Sequence, residues 1–285
     1  MTDRPPFPAP FRSLELRPGL VWSDQDPPLL IAGPCVVEGP STLEAAHAIA
    51  EAVEGLPCLW VFKASFDKAN RTSTRSARGP GLQEGLALLA RVREELGVPV
   101  LTDVHLPEQC DPAAASVDLL QIPAFLSRQT DLVQAAARTG LPVNIKKAQF
   151  MAPSDVVQAA RKAEAAGGSR ILLTERGTFF GYGRLVVDFS GLPEMQASGF
   201  PVILDGTHAV QRPSGLGDRS GGDWRLAPTL LRAGAGAGFH GYFVETHPEP
   251  DRSPSDGPNM IPVSYLREIL EEVFAIHRLR SPVEP

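Results

Sequence analysis

The chain has no apolar run approaching the roughly 18–20 residues of a membrane-spanning helix. Its first residues, "MTDRPPFPAPF", carry no apolar stretch of the kind that directs secretion. Cysteine is scarce: Cys35, Cys58 and Cys110 are the only three, without a CxxC pair, which argues against a disulfide framework. Excess positive charge is also missing. A formal net charge of −6 disfavours nucleic acid or an anionic membrane as partner, since either selects a basic footprint. No Gly-x-Gly-x-x-Gly follows the first apolar run, so a dinucleotide-binding open sheet has little support. Internal repeats and a clear linker are absent too. These absences leave a protein expected to be soluble and cytoplasmic, and 285 residues at 43% hydrophobic content are enough for a substantial core.

Against that acidic background stands "FKASFDKANRTSTRSARGPG" over 62–81, where Lys63, Lys68, Arg71, Arg75 and Arg78 crowd around the single carboxylate Asp67. Like charges repel, so such a cluster implies an incoming anion that offsets the repulsion.

Short apolar, β-branched runs recur at 29–35, 59–65, 99–105, 118–124, 142–148, 170–176, 201–207 and 241–247. Their apolar parts are nearly continuous, the pattern of parallel strands covered on both faces. Helical patterns lie between them at 41–55, 82–97, 131–140, 154–168, 227–239 and 263–279, with weaker crossovers near 107–116 and 188–198. Ser41 followed by Glu44 predicts a capping box, and Ser154 a helix start. Eight strand–helix units predict an α/β fold, a closed (β/α)₈ barrel forming one domain over 1–285. Within it, 1–28 is an N-terminal extension whose "FRSLELRPGLVWSD" forms a hairpin under the barrel, and 280–285 is a loose tail.

Most strands end on a reactive group: Cys35; Lys63 and Lys68; Asp103 and His105; Gln121; Lys146 and Lys147; Glu175 and Arg176; Asp205 and His208; Glu245 and His247. Barrel enzymes build their sites from strand C-termini, so these distant groups are expected to share one mouth. Lys63, Lys68, Lys146 and Arg176 form a cationic set suited to phosphate and carboxylate; one such lysine alone would be an ordinary snorkelling surface residue. Cys35, His208, Glu245 and Asp256 offer sulfur, nitrogen and carboxylate oxygens to a borderline divalent ion such as Zn, Fe or Mn. Singly, a buried cysteine is a small hydrophobe and an Asp before Gly a turn residue. The metal reading therefore depends on closure bringing the first, seventh and eighth strands together. The Gly-rich stretch 211–225 is either a lid over the mouth or a surface insertion. Cys58, Cys110, His47 and His277 are expected to be structural.

The segments "IAGPC", "FKASFDKANRTS", "QIPAFLSRQTDL", "NIKKAQF", "ERGTFFGYGRLVVDF", "DGTHAVQ" and "ETHPEPDRSPSDGP", in this order across roughly 29–275, resemble the 3-deoxy-D-manno-octulosonate 8-phosphate synthase family. "KANR" separates it from the neighbouring 3-deoxy-D-arabino-heptulosonate 7-phosphate synthases, which typically carry "KPRTS". The resemblance implies condensation of phosphoenolpyruvate with arabinose 5-phosphate and release of phosphate, for bacterial lipopolysaccharide. It assigns Lys68, Lys146 and Arg176 to phosphoenolpyruvate, with Lys63 and Gln121 nearby. Asn70, Arg71 and Thr72 fall at the sugar phosphate, and Asp103 at its hydroxyls. Thr72 replaces the family's usual Ser and keeps the hydroxyl. Arg71 is implied to reach a neighbouring subunit's site, hence a homotetramer. Cys35 after "GP" marks the metal-dependent branch, with His208, Glu245 and Asp256 as the other ligands. Lys68, Lys146, His208 and Asp256 are expected to act on the reacting groups. Rival readings are the seven-carbon synthase, another metal-dependent aldolase or hydrolase, and a non-catalytic phosphate sensor.

Overall fold

The computed structural model describes residues 9–68, 78–179, 183–212 and 221–279. It opens with an antiparallel hairpin of β1 (Leu14–Arg17) and β2 (Leu20–Trp22), turned at Gly19 with φ +81°. All eight expected strands follow: β3 (Leu29–Gly33), β4 (Leu59–Lys63), β5 (Val100–Asp103), β6 (Leu119–Ile122), β7 (Val143–Lys146), β8 (Ile171–Glu175), β11 (Val202–Asp205) and β12 (Gly241–His247). Each pairs in parallel with the next, and β12 pairs with both β11 and β3, so the sheet closes into a barrel. Two short additions were not legible as strands: β9 (Thr178–Phe179) with β10 (Leu185–Val186), and β13 (Ile261–Pro262) against the end of β12.

The outer ring is α1 (Ser41–Val53), α2 (Leu82–Leu96), α3 (Cys110–Ala114), α4 (Thr130–Arg138), α5 (Pro153–Ala165), α6 (Leu192–Gln196), α7 (Ala227–Ala237) and α8 (Val263–Arg278). The two weak crossovers became the single short turns α3 and α6, each entered through a 3₁₀ turn. No described helix is long and apolar enough to cross a membrane.

Two helix caps differ from expectation. Pro40, not Ser41, is the N-cap of α1; Ser41 donates to Glu38 O (2.9 Å) while Thr42 Oγ1 accepts from Glu38 N–H (2.8 Å). Pro40's fixed φ lets the helix begin earlier, so the hydroxyls cap the preceding turn instead. In α5 the chain enters helix at Pro153, and Asp155 rather than Ser154 reaches back, accepting from Ala152 N–H at 3.2 Å.

Strand alternation divides the core into layers. Leu30, Ala32, Phe62, Leu120, Ile145 and Leu204 face the helices. Leu29, Ile31, Val61, Leu101, Leu119, Leu172, Ile203 and Phe243 point inward and pack on Phe11, Leu14, Leu16 and Trp22, which close the floor. The inward positions further along the same strands are Lys63, Asp103, Gln121, Thr174, Asp205 and Glu245, all buried. One face of each strand thus runs from apolar floor to charged mouth.

Candidate active site

At the mouth the polar side chains share partners. Lys63, 3% exposed, sends Nζ to Cys35 O (3.0 Å) and Glu245 Oε1 (3.1 Å), with Asp103 Oδ2 at 3.7 Å. Gly33 is what lets β3 and β4 close here, for a Cβ at that position would meet Lys63 O at 1.9 Å. Lys68, just past β4, pairs with Asp256 Oδ2, and the Cys35 thiol lies 3.3 Å from the same oxygen. Lys146 on β7 pairs with Asp205 Oδ2 at 2.7 Å and sits 3.6 Å from the Phe243 ring centre. Arg176, after β8, donates Nη2 to Gln211 Oε1 (3.0 Å) and leaves Nη1 buried without a partner. Gln211 Nε2 in turn donates to Asp256 Oδ1 at 3.3 Å. Lys68 and Arg176 therefore share Asp256, the latter through Gln211, while Lys63 and Lys146 reach the same mouth on their own carboxylates, Glu245 and Asp205.

The charges are held by one another. Burial opposes ionisation of Asp103, Asp205 and Asp256, yet the neighbouring basic groups outweigh it: Lys63 at Asp103, His208 and Lys146 at Asp205, Lys68 at Asp256. All three carboxyls stay well below the usual carboxylate range. Burial would likewise lower Lys63 and Lys68, but the carboxylates around them raise both. Lys146 differs. Burial prevails over Asp205, and its ammonium is depressed from the ordinary lysine value. An arriving anion would stabilise that ammonium.

Cys35, Glu245 and Asp256 bring their ligand atoms within 4.8 Å of one another. Glu245 Oε2 is buried with no hydrogen-bond partner, an orphaned acceptor that a cation would satisfy. His208 stands beside this trio and outside that mutual distance: Nε2 is 3.7 Å from Glu245 Oε1, while Nδ1 is 2.8 Å from Asp205 Oδ2, off the line of a good hydrogen bond. A carboxylate next to Nδ1 favours a proton there and leaves Nε2 as the nitrogen able to accept or to coordinate. Burial, and then Glu245, raise the Cys35 thiol well above its ordinary value, so a bound cation would be needed to hold it as thiolate. Thiol, imidazole and two carboxylates fit a borderline divalent ion. Asp256 holds φ +54°, the only non-glycine residue in the left-handed region among those described; Asp tolerates it, and such strain gathers at functional sites.

Other expected residues went elsewhere. Lys147 and Glu175, adjacent to Lys146 and Arg176, face away from the barrel axis and pair with each other at 3.4 Å. His105 stands edge-on to Phe66 and acts on Asp103 by charge. His247 pairs with Glu38 at 3.2 Å beside the mouth. Burial pushes the Cys58 and Cys110 thiols up to about 12, leaving both inert. Asn70, Arg71 and Thr72 lie outside the described residues, as do 213–220 of the expected lid; at its base Arg212 and Gly221 exchange backbone hydrogen bonds of 2.7 and 3.0 Å. Two residues have roles that the sequence reading does not assign. Asp205 is expected at the mouth as a strand end without an assigned role, and the structure makes it the bridge between Lys146 and His208. Gln211 follows His208 by a 3₁₀ turn, and that spacing was the available signal.

Comparison with known proteins agrees with this architecture. A family model described as DAHP synthetase I family matches residues 15–278. Among curated relatives, a "2-dehydro-3-deoxyphosphooctonate aldolase" of Magnetococcus marinus is 55% identical over 256 residues, covering 90% of this chain and 89% of its own. A protein of the same name from Nitratidesulfovibrio vulgaris is 55% identical over 251 residues, with coverages of 88% and 92%. Another from Desulfatibacillum aliphaticivorans is 52% identical over 256 residues, with coverages of 90% and 94%. With its closed barrel, its cationic mouth and a family match running nearly end to end, the chain belongs to the DAHP synthetase I family.

Proposed function

We propose that this chain is a metal-dependent 3-deoxy-D-manno-octulosonate 8-phosphate synthase: phosphoenolpyruvate, D-arabinose 5-phosphate and water give the eight-carbon acid phosphate and inorganic phosphate. The observation that carries the reading is the convergence of Lys63, Lys68, Lys146 and Arg176 on one mouth beside the Cys35–Glu245–Asp256 cluster. The relatives' shared name favours the eight-carbon product over the seven-carbon one.

Two anionic substrates repel in solution, so aligning them is a large part of the catalysis. Lys68, Lys146 and Arg176 hold the phosphate and carboxylate of phosphoenolpyruvate, with Lys63 and Gln121 beside them. Arg176's unpaired Nη1 offers a donor already desolvated. The methylene carbon then attacks the aldehyde of arabinose 5-phosphate, water adds at the adjacent carbon, and loss of phosphate completes the reaction. Carboxylates at the mouth stabilise the positive charge that develops at the carbon receiving water. Asp205 holds both Lys146 and His208, so the phosphate-binding cation and the proton-moving imidazole keep a fixed relation. Cys35, His208, Glu245 and Asp256 would hold one divalent ion, Zn, Fe or Mn, which when bound supplies Lewis-acid polarisation of the aldehyde or of water.

The same reading takes the enzyme to be a cytoplasmic homotetramer. Exposed Phe125, Phe150 and Phe179, at 50%, 60% and 53%, support an assembly that covers them. Sedimentation of the purified protein tests the subunit count.

The decisive assay follows phosphate release with arabinose 5-phosphate and with erythrose 4-phosphate, each with and without chelator and single-metal re-addition. Preference for the five-carbon aldose and loss of turnover on chelation are expected; full activity in metal-free enzyme defeats the metal assignment. Cys35→Asn should lose bound metal by elemental analysis and keep its fold by circular dichroism.

A further inference from the structure

One layer inside the barrel is joined by hydrogen bonds that all run in one direction. Thr174 Oγ1 donates to Asn144 Oδ1 at 2.7 Å, Asn144 Nδ2 to Gln121 Oε1 at 2.8 Å, and Gln121 Nε2 to Asp103 Oδ1 at 2.7 Å. From the other side the Ser65 hydroxyl donates to Asp103 Oδ2. The chain crosses β8, β7, β6 and β5 to the loop after β4, and Thr174 and Asn144 are fully buried.

The direction has a cause. Asp103 is held ionised, since Lys63 outweighs the effect of burial, and an ionised carboxylate can only accept. Gln121 must therefore turn its NH₂ toward β5 and its oxygen toward β7. Asn144 must then offer NH₂ to that oxygen, and Thr174 must supply the last proton. No member can be reversed alone without setting two acceptors or two donors face to face.

The mouth also divides by hydrogen-bonding capacity. Lys68, Lys146 and Arg176 offer donors to an anion, whereas Asp103, with Lys63 at 3.7 Å and hydrogen bonds from Gln121 and Ser65, is a buried group that can only accept. An ionised phosphate or carboxylate has no proton to offer such a group; a neutral hydroxyl donates to it.

We propose that Asn144 and Thr174, although they touch no substrate, are positioning residues for the polyol: through Gln121 they keep the Asp103 carboxylate aimed at the aldose hydroxyls. This rests on the condensation proposed above and assigns to it the specific task of ordering the sugar.

Asn144→Asp tests it most directly. An aspartate at 144 cannot donate to Gln121 Oε1, so the Gln121 amide reverses and presents its oxygen to Asp103. The KM for arabinose 5-phosphate should rise about tenfold or more, a loss on the scale of a buried polar group set against the wrong partner, while the KM for phosphoenolpyruvate, held chiefly by Lys68, Lys146 and Arg176, rises by a smaller factor. Thr174→Val removes only the terminal proton at nearly constant shape and should move the aldose KM severalfold in the same direction; Thr174→Ser keeps the hydroxyl and should restore it. If Asn144→Asp does not fold, the Val and Ser pair decides. Folded variants with both KM values unchanged, or with both raised alike, overturn the inference while the condensation stands. A wild-type protein that releases no phosphate with either aldose phosphate overturns the functional reading, and this inference with it.

Discussion

The two ends of the barrel are made by the same strands and have opposite chemistry. On the floor, Leu29, Ile31, Val61, Leu101, Leu119, Leu172 and Ile203 meet the N-terminal hairpin through Leu14, Leu16 and Trp22. At the mouth, the inward positions on these or adjoining strands are Lys63, Asp103, Gln121, Lys146, Thr174, Asp205 and Glu245. The floor has no unmet electrostatic demand and its packing is tight in the manner of any core. The mouth holds desolvated charges that are tolerable only in mutual register. The difference teaches a division of labour: apolar bulk below fixes the strands, and that rigidity keeps the mouth's charges preorganised for an anion instead of relaxing toward solvent.

Four substitutions probe that division, beginning with the largest effect. Lys146→Met should lower kcat/KM by about 10³-fold, the scale of losing a preorganised charge at a reacting group, with the fold retained because Asp205 Oδ1 still accepts from the Thr207 hydroxyl and the Thr207 and His208 backbone N–H groups. Steady-state kinetics on the folded protein measures it, and an active variant would erase the contrast between the ends. Leu16→Ala, fully buried in the floor, should do the opposite. A loss of about 2–5 kcal/mol in denaturant unfolding is expected, with both KM values unchanged. Phe243 belongs to both ends, being part of the floor cluster while its ring lies beneath Lys146. Phe243→Leu should therefore cost about 1 kcal/mol of stability and also lower kcat/KM for phosphoenolpyruvate by about tenfold, through the lost ring–cation contact. A change in only one of the two would place it on that side alone.

The smallest effect concerns pH. Burial lowers His247, but the hydrogen bond and charge of Glu38 outweigh it, so its folded-state pKa is raised. The pair's contribution is fully present below the ordinary histidine value of about 6.5 and is lost as pH rises through the raised value. Wild type should exceed Glu38→Gln in unfolding free energy at about pH 6, and the gap should narrow toward about pH 9. A gap independent of pH would mean that Glu38 acts only through its hydrogen bond from Ser253 (2.8 Å).

Much of this was legible beforehand. The barrel strands are nearly continuous apolar runs with polar endings, a pattern that survives without any knowledge of partners. The overrun at several strand ends has a local reason: residues such as Ser65 leave the regular ladder and bond to the next loop, here to Cys35 O at 3.2 Å. The starts of α1 and α5 fall where expected to within a residue, but their caps differ because the fixed φ of Pro40 and Pro153 competes with side-chain caps, and tertiary context chose between them. Lys146 and Lys147 show the limit most clearly. The same residue type in adjacent positions gives one lysine in the mouth and one paired with Glu175 behind the wall. The bridging roles of Asp205 and Gln211 are not legible because bridging is a property of what stands on either side.

The sequence by itself determined the barrel, the apolar floor and the identity of most groups at the mouth, since periodicity and residue type are local quantities. Only the tertiary structure decided which cation meets which carboxylate, that His208 stands beside rather than within the Cys35–Glu245–Asp256 trio, and that Thr174, Asn144, Gln121 and Asp103 form one directed chain. Barrel closure sets those relations, bringing side chains from distant strands within the few ångströms over which hydrogen bonds and buried charges act.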